Sequence, residues 1–257
     1  MRSLKVLFLA SAIAMIAYAC SKSFLDKAPL GQLDPSALAN KNGVNGILIG
    51  AYSLLDGYGG AGGDWSAAGS NWVYGSMAGT EAHKGSSVGD QPDAVPIETF
   101  RPTTTNYYFH NKWLLVYDGV SGCNDVIRTA ALATDLTQAE SDEILAEARG
   151  LRAWYHFEAK KMWNNIPFVD ETITYGAGNY FVPNTGPNLS DSVWLKIEED
   201  LQFAISKLPN SQSQVGRLNK YSAEAILAKA YMFQKKYGAA KPLLDDIITS
   251  GKYQLVD

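Results

Sequence analysis

Residues 221–250, YSAEAILAKAYMFQKKYGAAKPLLDDIITS, decide the fold. Leu227, Ala228 and Tyr231 recur at helical spacing before Gly238, and Ala240, Leu244 and Ile247 do so after it. One such stretch would read as a lone amphipathic helix, whereas two around a glycine read as a hairpin of two helices over 222–250. Ala228 and Ala240 are small enough to let the two helices approach closely.

Counted from Tyr221 as the first position, Leu227, Ala228, Tyr231, Tyr237, Ala240, Leu244 and Ile247 fall at the packing positions of a tetratricopeptide repeat. A unit of this kind cannot bury its face alone, so stacked helical neighbours are predicted upstream. Four segments supply them. Val44, Ile47, Leu48, Ala51 and Leu55 share one face of a helix closed by Gly57. Trp113, Val116, Tyr117, Val120 and Ile127 mark a second, running to about Ala133. Thr137 and Glu140 form a T-x-x-E capping box, opening a third helix with Ile144, Ala148, Leu151, Tyr155 and Met162 on its face and an end before Pro167. Trp194, Ile197, Leu201, Ala204, Ile205 and Leu208 stripe a fourth over 192–208, stopped by Pro209 and Asn210. Nothing comparable carries strand alternation. The predicted class is mostly α, a solenoid-like scaffold of tetratricopeptide-like hairpins.

Two long irregular loops interrupt the pattern, at about 56–112 and 164–191. The first is glycine-rich, with Tyr58, Trp65, Trp72 and Tyr74 early and Pro92, Pro96 and Pro102 later. The second holds Tyr175, Tyr180, Phe181, Pro183 and Pro187. Loops this long inside a domain are usually functional or disordered, and their aromatic content favours order.

The N-terminus carries an export signal. Arg2 and Lys5 precede the apolar run 6–19, VLFLASAIAMIAYA, which is too short to span a bilayer core of about 30 Å. Cys20 follows a small residue at the expected cleavage point, so residues 1–19 read as a lipoprotein signal peptide and Cys20 as the lipid anchor. Loss of Arg2 and Lys5 from 22 basic residues, against 26 acidic ones, moves the net charge from −4 to −6. An acidic protein of this kind is not expected to bind nucleic acid. With Cys20 acylated, Cys123 has no cysteine partner and reads as a small core residue.

No catalytic constellation is legible. His83, His110 and His156 are scattered, there is no G-x-S-x-G elbow, and Gly59-Gly60-Ala61-Gly62-Gly63 lacks the lysine and hydroxyl residue of a phosphate loop. Neither a metal site nor a cofactor is predicted. Arg149 and Arg152 are expected to pair with Glu147 or to cap carbonyls. The aromatic residues of the first loop are the stronger signal, because a flat ring offers a platform for the apolar face of a pyranose. The candidate ligand-binding residues are Trp65, Asn71, Trp72, Tyr74 and Glu81, with His83 and Asp90 as further hydrogen-bonding neighbours.

Several stretches resemble the SusD-like (RagB/SusD) nutrient-uptake lipoproteins of Bacteroidetes outer membranes. Residues 146–169, AEARGLRAWYHFEAKKMWNNIPFV, resemble the family's signature helix with its I-P-x-V exit. Residues 194–209, WLKIEEDLQFAISKLP, are similar to the helix that follows it. Residues 216–253 resemble the G-R-x-x-K-x-x-A repeat hairpin with its terminal S-G-K-Y, and 113–127 and the KGSSVGDQPD run from Lys84 look familial as well. The resemblance implies a non-catalytic, surface-exposed glycan-binding lipoprotein that delivers oligosaccharide to a TonB-dependent, SusC-like barrel transporter. Members usually run to about twice this length, so 20–257 reads as an N-terminal portion of the helical domain. A lipid-anchored helical-repeat adaptor that binds only partner proteins is the alternative.

Overall fold

The computed structural model describes residues 35–61, 72–85, 87–174, 177–186 and 188–255. The helices below belong to one compact unit that begins at residue 39. They are α1 (Lys41–Ser53), α2 (Ala94–Glu98), α3 (Tyr107–Ala130), α4 (Gln138–Trp163), α5 (Leu189–Lys207), α6 (Lys220–Phe233) and α7 (Tyr237–Thr249), with no strand among the described residues. From α3 onward each helix packs chiefly on its neighbour in sequence, and α1 lies against α3 and α4. This is the up-and-down stacking of a helical-repeat scaffold. No helix among the described residues is long and apolar enough to cross a membrane.

Side chains at the helix starts satisfy backbone donors that would otherwise be orphaned. Thr137 and Glu140 make the expected reciprocal capping box at α4. A second box, Asn219 with Ser222, opens α6 at Lys220, ahead of the predicted start. Asn106 accepts from the backbone N–H groups of Tyr108 and Phe109, so α3 begins at Tyr107, inside what reads from sequence as loop 56–112. That loop also holds α2 and one π turn, Val73–Met77. Likewise α5 begins at Leu189, just inside the loop predicted over 164–191.

The main core lies where α3, α4 and α5 meet, around Val120, Cys123, Leu151, Tyr155, Phe157, Ile197 and Leu201. Leu54 packs against this core while Leu55 is exposed. The expected inward position moves by one residue because Leu54–Asp56 is a 3-10 turn, whose tighter winding rotates the stripe. In the terminal hairpin Leu227, Ala228, Tyr231 and Ala240 are buried as predicted. Tyr237 and Leu244, expected to pack, are exposed, since no described helix lies on that side of α7.

Candidate functional site

The candidate site lies on the segment from Trp72 to Asn106. Val73 and Met77, one turn apart, bury their side chains with Ala94, Ile97 and Tyr108 in a small core of their own. Burial of Val73 turns the adjacent Trp72 outward, and its side chain is 43% exposed. Tyr74 does the opposite. Its hydroxyl donates to the Tyr108 carbonyl at 2.7 Å, its ring stacks on Phe109 at 6.4 Å, and Lys112 Nζ lies 5.7 Å over the ring. Tyr74 therefore braces the segment, with its hydroxyl and ring engaged by α3. Glu81 is exposed, and its backbone N–H donates to Ser76 O at 2.8 Å. Trp65 and Asn71, like Cys20, lie outside the described residues.

The rest of the segment is pinned in the same way. Asn106 Nδ2 donates to Asp93 O at 2.7 Å, and the Tyr107 backbone N–H to Asp93 Oδ2 at 3.0 Å. The Tyr108 hydroxyl donates to Gln91 Oε1 at 3.1 Å, and buried Lys84 reaches Ser87 O at 3.0 Å. His83 pairs with Glu98, which draws the Glu98 carboxyl below its ordinary range through that hydrogen bond. Asp90 is exposed.

Beneath the segment runs an unbroken series of rings. Tyr107, Tyr108, Tyr74, Phe109, Trp163, Trp113, Tyr117, His156 and Phe168 follow one another with centroid separations between 4.2 and 6.5 Å. Edge-to-face and offset contacts of this kind each add about 0.5–1.5 kcal/mol beyond burial. The series ties the loop to α3, α4 and the segment by which the chain leaves α4. Lys112, which the sequence reading passed over, is buried beside it and held 3.6 Å from Glu158. Burial lowers the Lys112 pKa from its ordinary value. The available signal was its spacing, four residues after Tyr108 and four before Val116 on the buried face of α3.

The exit after α4 is fixed by polar contacts. The Tyr117 hydroxyl donates to Pro167 O at 2.8 Å and Asn124 Nδ2 to Val169 O at 3.1 Å. His156 Nδ1–H donates to Arg152 O at 3.0 Å, while Nε2 accepts from the Val169 N–H at 3.2 Å. Burial pushes the His156 pKa down to about 3, so the ring is neutral. Arg149 and Arg152 do not pair with Glu147. Both reach Asp200 on α5, Arg149 Nε at 2.7 Å and Arg152 Nε and Nη2 at 2.8 and 2.9 Å. Residues two apart on a helix do not face each other, so Glu147 points elsewhere. It accepts from Arg217 Nη1 at 2.7 Å and from the Tyr52 hydroxyl at 2.5 Å. A cleft of about 360 Å³ above Asp200 is lined by Arg149, Arg152 and Lys196 together with Asp170, Glu171, Glu199 and Asp200, and favours neither sign of charge.

Among the described residues no cluster of His, Cys, Asp and Glu is arranged to hold a metal. The fold and the braced aromatic segment define a helical-repeat protein whose long loop is tied to the scaffold by ring contacts. Residues 23–232 match the family model SusD-like_3, described as starch-binding and associating with the outer membrane, and the chain belongs to this SusD-like family. A SusD-like protein of Bacteroides ovatus is 26% identical over 231 residues, covering 89% of this chain and 39% of that protein. SusD-like protein P2 of Formosa agariphila is 27% identical over 127 residues, 48% of this chain and 24% of that protein. Surface glycan-binding protein A of Bacteroides uniformis superposes with a TM-score of 0.72 at 22% identity, over 84% of this chain and 48% of that one. The Bacteroides thetaiotaomicron protein solved with laminarihexaose superposes at 0.67 with 23% identity, over 84% and 44%. The chain thus spans less than half the length of each of these proteins.

Proposed function

We propose that this protein binds oligosaccharide at the 72–106 segment and passes it to a TonB-dependent, SusC-like transporter, held at the outer membrane by a lipid on Cys20. It acts by capture, without catalysis. The observation that carries the reading is Trp72, a large ring exposed on a segment whose neighbours are tied down by a private core and a series of aromatic contacts. A ring held in place before the ligand arrives loses little entropy on binding. Family membership and the laminarihexaose complex of a structural neighbour support the choice of carbohydrate. Trp65 and Asn71 complete the surface in this reading, Glu81 accepts hydrogen bonds from hydroxyls, and Tyr74 positions Trp72.

Calorimetric titration with a panel of oligosaccharides, including laminarihexaose and maltohexaose, tests the proposal. Each stacked ring contributes on the order of 1 kcal/mol, so the expected affinity is weak. Binding of a peptide or another nutrient with no response to any glycan would sink it.

The adaptor reading draws on one observation of its own. Met232, Phe233 and Tyr237 are exposed together around the turn between α6 and α7, an apolar feature suited to a protein partner. Co-purification of a transporter by the wild type and by Trp72→Ala separates the two. Assembly kept and sugar uptake lost supports capture, whereas unaltered uptake supports the adaptor.

A further inference from the structure

We infer that Phe100 is a second ligand-contact ring of the glycan site, a role that rests on the glycan reading of the 72–106 segment. Phe100 lies just past the end of α2, where the chain turns back on itself. Its N–H donates to Ile97 O at 3.1 Å, and on either side Thr99 N–H reaches Val95 O at 3.0 Å and Arg101 N–H reaches Pro96 O at 2.7 Å. These bonds hold Phe100 at φ 55°, in the left-handed region. Glycine or asparagine occupies that region readily, whereas a bulky side chain there is an outlier.

The fold gains little from the ring in return, since Phe100 is 67% exposed. Exposure alone would not single it out, because Phe181 is more exposed still. Strain alone would not either, for Thr80, Gln91, Asn164, Asn188 and Lys235 share positive φ. Among the described residues only Phe100 joins an aromatic side chain, a left-handed backbone and exposure. Strained residues that the fold does not need tend to mark functional positions.

Its placement agrees. Ile97, three residues earlier, is buried in the same small core as Val73, the residue after Trp72. That core therefore lies under Trp72 and Phe100 alike, each close in sequence to one of its members, as it does under Tyr107, the exposed ring before Tyr108 that packs on Tyr108 itself. Two apolar platforms on one rigid base suit an extended chain of pyranose units, which presents an apolar face at successive residues.

Phe100→Asn is the decisive variant, since asparagine accepts the left-handed backbone and removes the ring. The expected result is an unfolding midpoint equal to or above that of the wild type. Affinity for whichever of laminarihexaose and maltohexaose binds the wild type should fall about 3- to 10-fold. Phe100→Trp, which keeps an aromatic face, should retain most of the affinity. Unchanged affinity in Phe100→Asn beside a loss in Trp72→Ala overturns the role of Phe100 and leaves the glycan reading standing. A wild type that binds neither sugar overturns both. Phe100→Asn that unfolds more readily than the wild type would make the ring a fold contact, and the inference would fall.

Discussion

A Cβ built on Gly119 falls 2.4 Å from Cζ of Tyr155, so α3 and α4 meet with no room for a side chain at that position. The ring cannot swing away freely, because the Tyr155 hydroxyl donates to Ala51 O at 2.6 Å and ties its far end to α1. Three helices are thus held by one tyrosine seated on one glycine. Gly119→Ala should destabilise the protein by about 1–3 kcal/mol through overpacking. The control is Gly50→Ala on α1, where nothing lies within 4 Å of the added carbon. There alanine's helix propensity should raise stability by up to about 1 kcal/mol. Urea denaturation of both variants checks the sign of each change.

The shared carboxylate of Asp200 gives a second expectation. Asp200 is 1% exposed and receives three hydrogen bonds from Arg149 and Arg152, of which Arg152 is itself buried. Asp200→Asn leaves a buried guanidinium without that counter-charge, for which the usual cost is about 3–5 kcal/mol. Contacts from Arg152 to Asn124 and Glu171 remain, which places the expected loss near the lower end of that range. Lys196→Ala, removing half of an exposed pair with Glu199, should change stability by less than about 1 kcal/mol. The two denaturation midpoints should differ clearly.

Features written into a few consecutive residues were legible in the sequence. The Thr137–Glu140 box and the stripe of α5 needed only local spacing, and both are present. The start of α3 was not, because Tyr107-Tyr108-Phe109-His110 is a run of rings without polar alternation, and the deciding cap is Asn106 just before it. Partners far apart in sequence were equally hidden: Glu147 meets Arg217 across 70 positions, although Arg149 stands two residues away. At the candidate site, aromatic loop composition pointed to Trp72 and Tyr74 alike. Only packing separates an exposed ring from one engaged by Phe109, Lys112 and the Tyr108 carbonyl.

His156 should leave a signature in acid. Its pKa lies at about 3 in the fold, below the ordinary value of 6.5, because burial disfavours the charged ring. In the window between these values the unfolded chain binds the extra proton and the fold does not. The stability contributed by neutral His156 is therefore fully present above about pH 6.5 and is lost progressively as pH falls toward 3. His156→Phe cannot titrate, and it also forfeits the bond from Val169 N–H, so it should be less stable at neutral pH. Its stability should decline less steeply between pH 6.5 and 4 than that of the wild type. Parallel slopes for the two proteins across that window would show that His156 does not control the acid response.

Trp72 and Tyr74 should respond to substitution in different ways if one meets the ligand and the other holds the segment. Trp72→Ala removes an exposed ring outside the small core, so unfolding should change little while glycan affinity falls about tenfold or more. Tyr74→Phe keeps the ring against Phe109 but deletes the hydroxyl that donates to Tyr108 O. The Tyr108 carbonyl keeps its place in the helical ladder of α3, so losing this one hydrogen bond should cost about 0.5–1.5 kcal/mol of stability. Its effect on affinity should be smaller than that of Trp72→Ala and should shrink with cooling as the segment orders again. Calorimetry of each variant at two temperatures, paired with denaturation, measures both quantities. A larger affinity loss in Tyr74→Phe than in Trp72→Ala would place the ligand at the tyrosine and reverse the assignment.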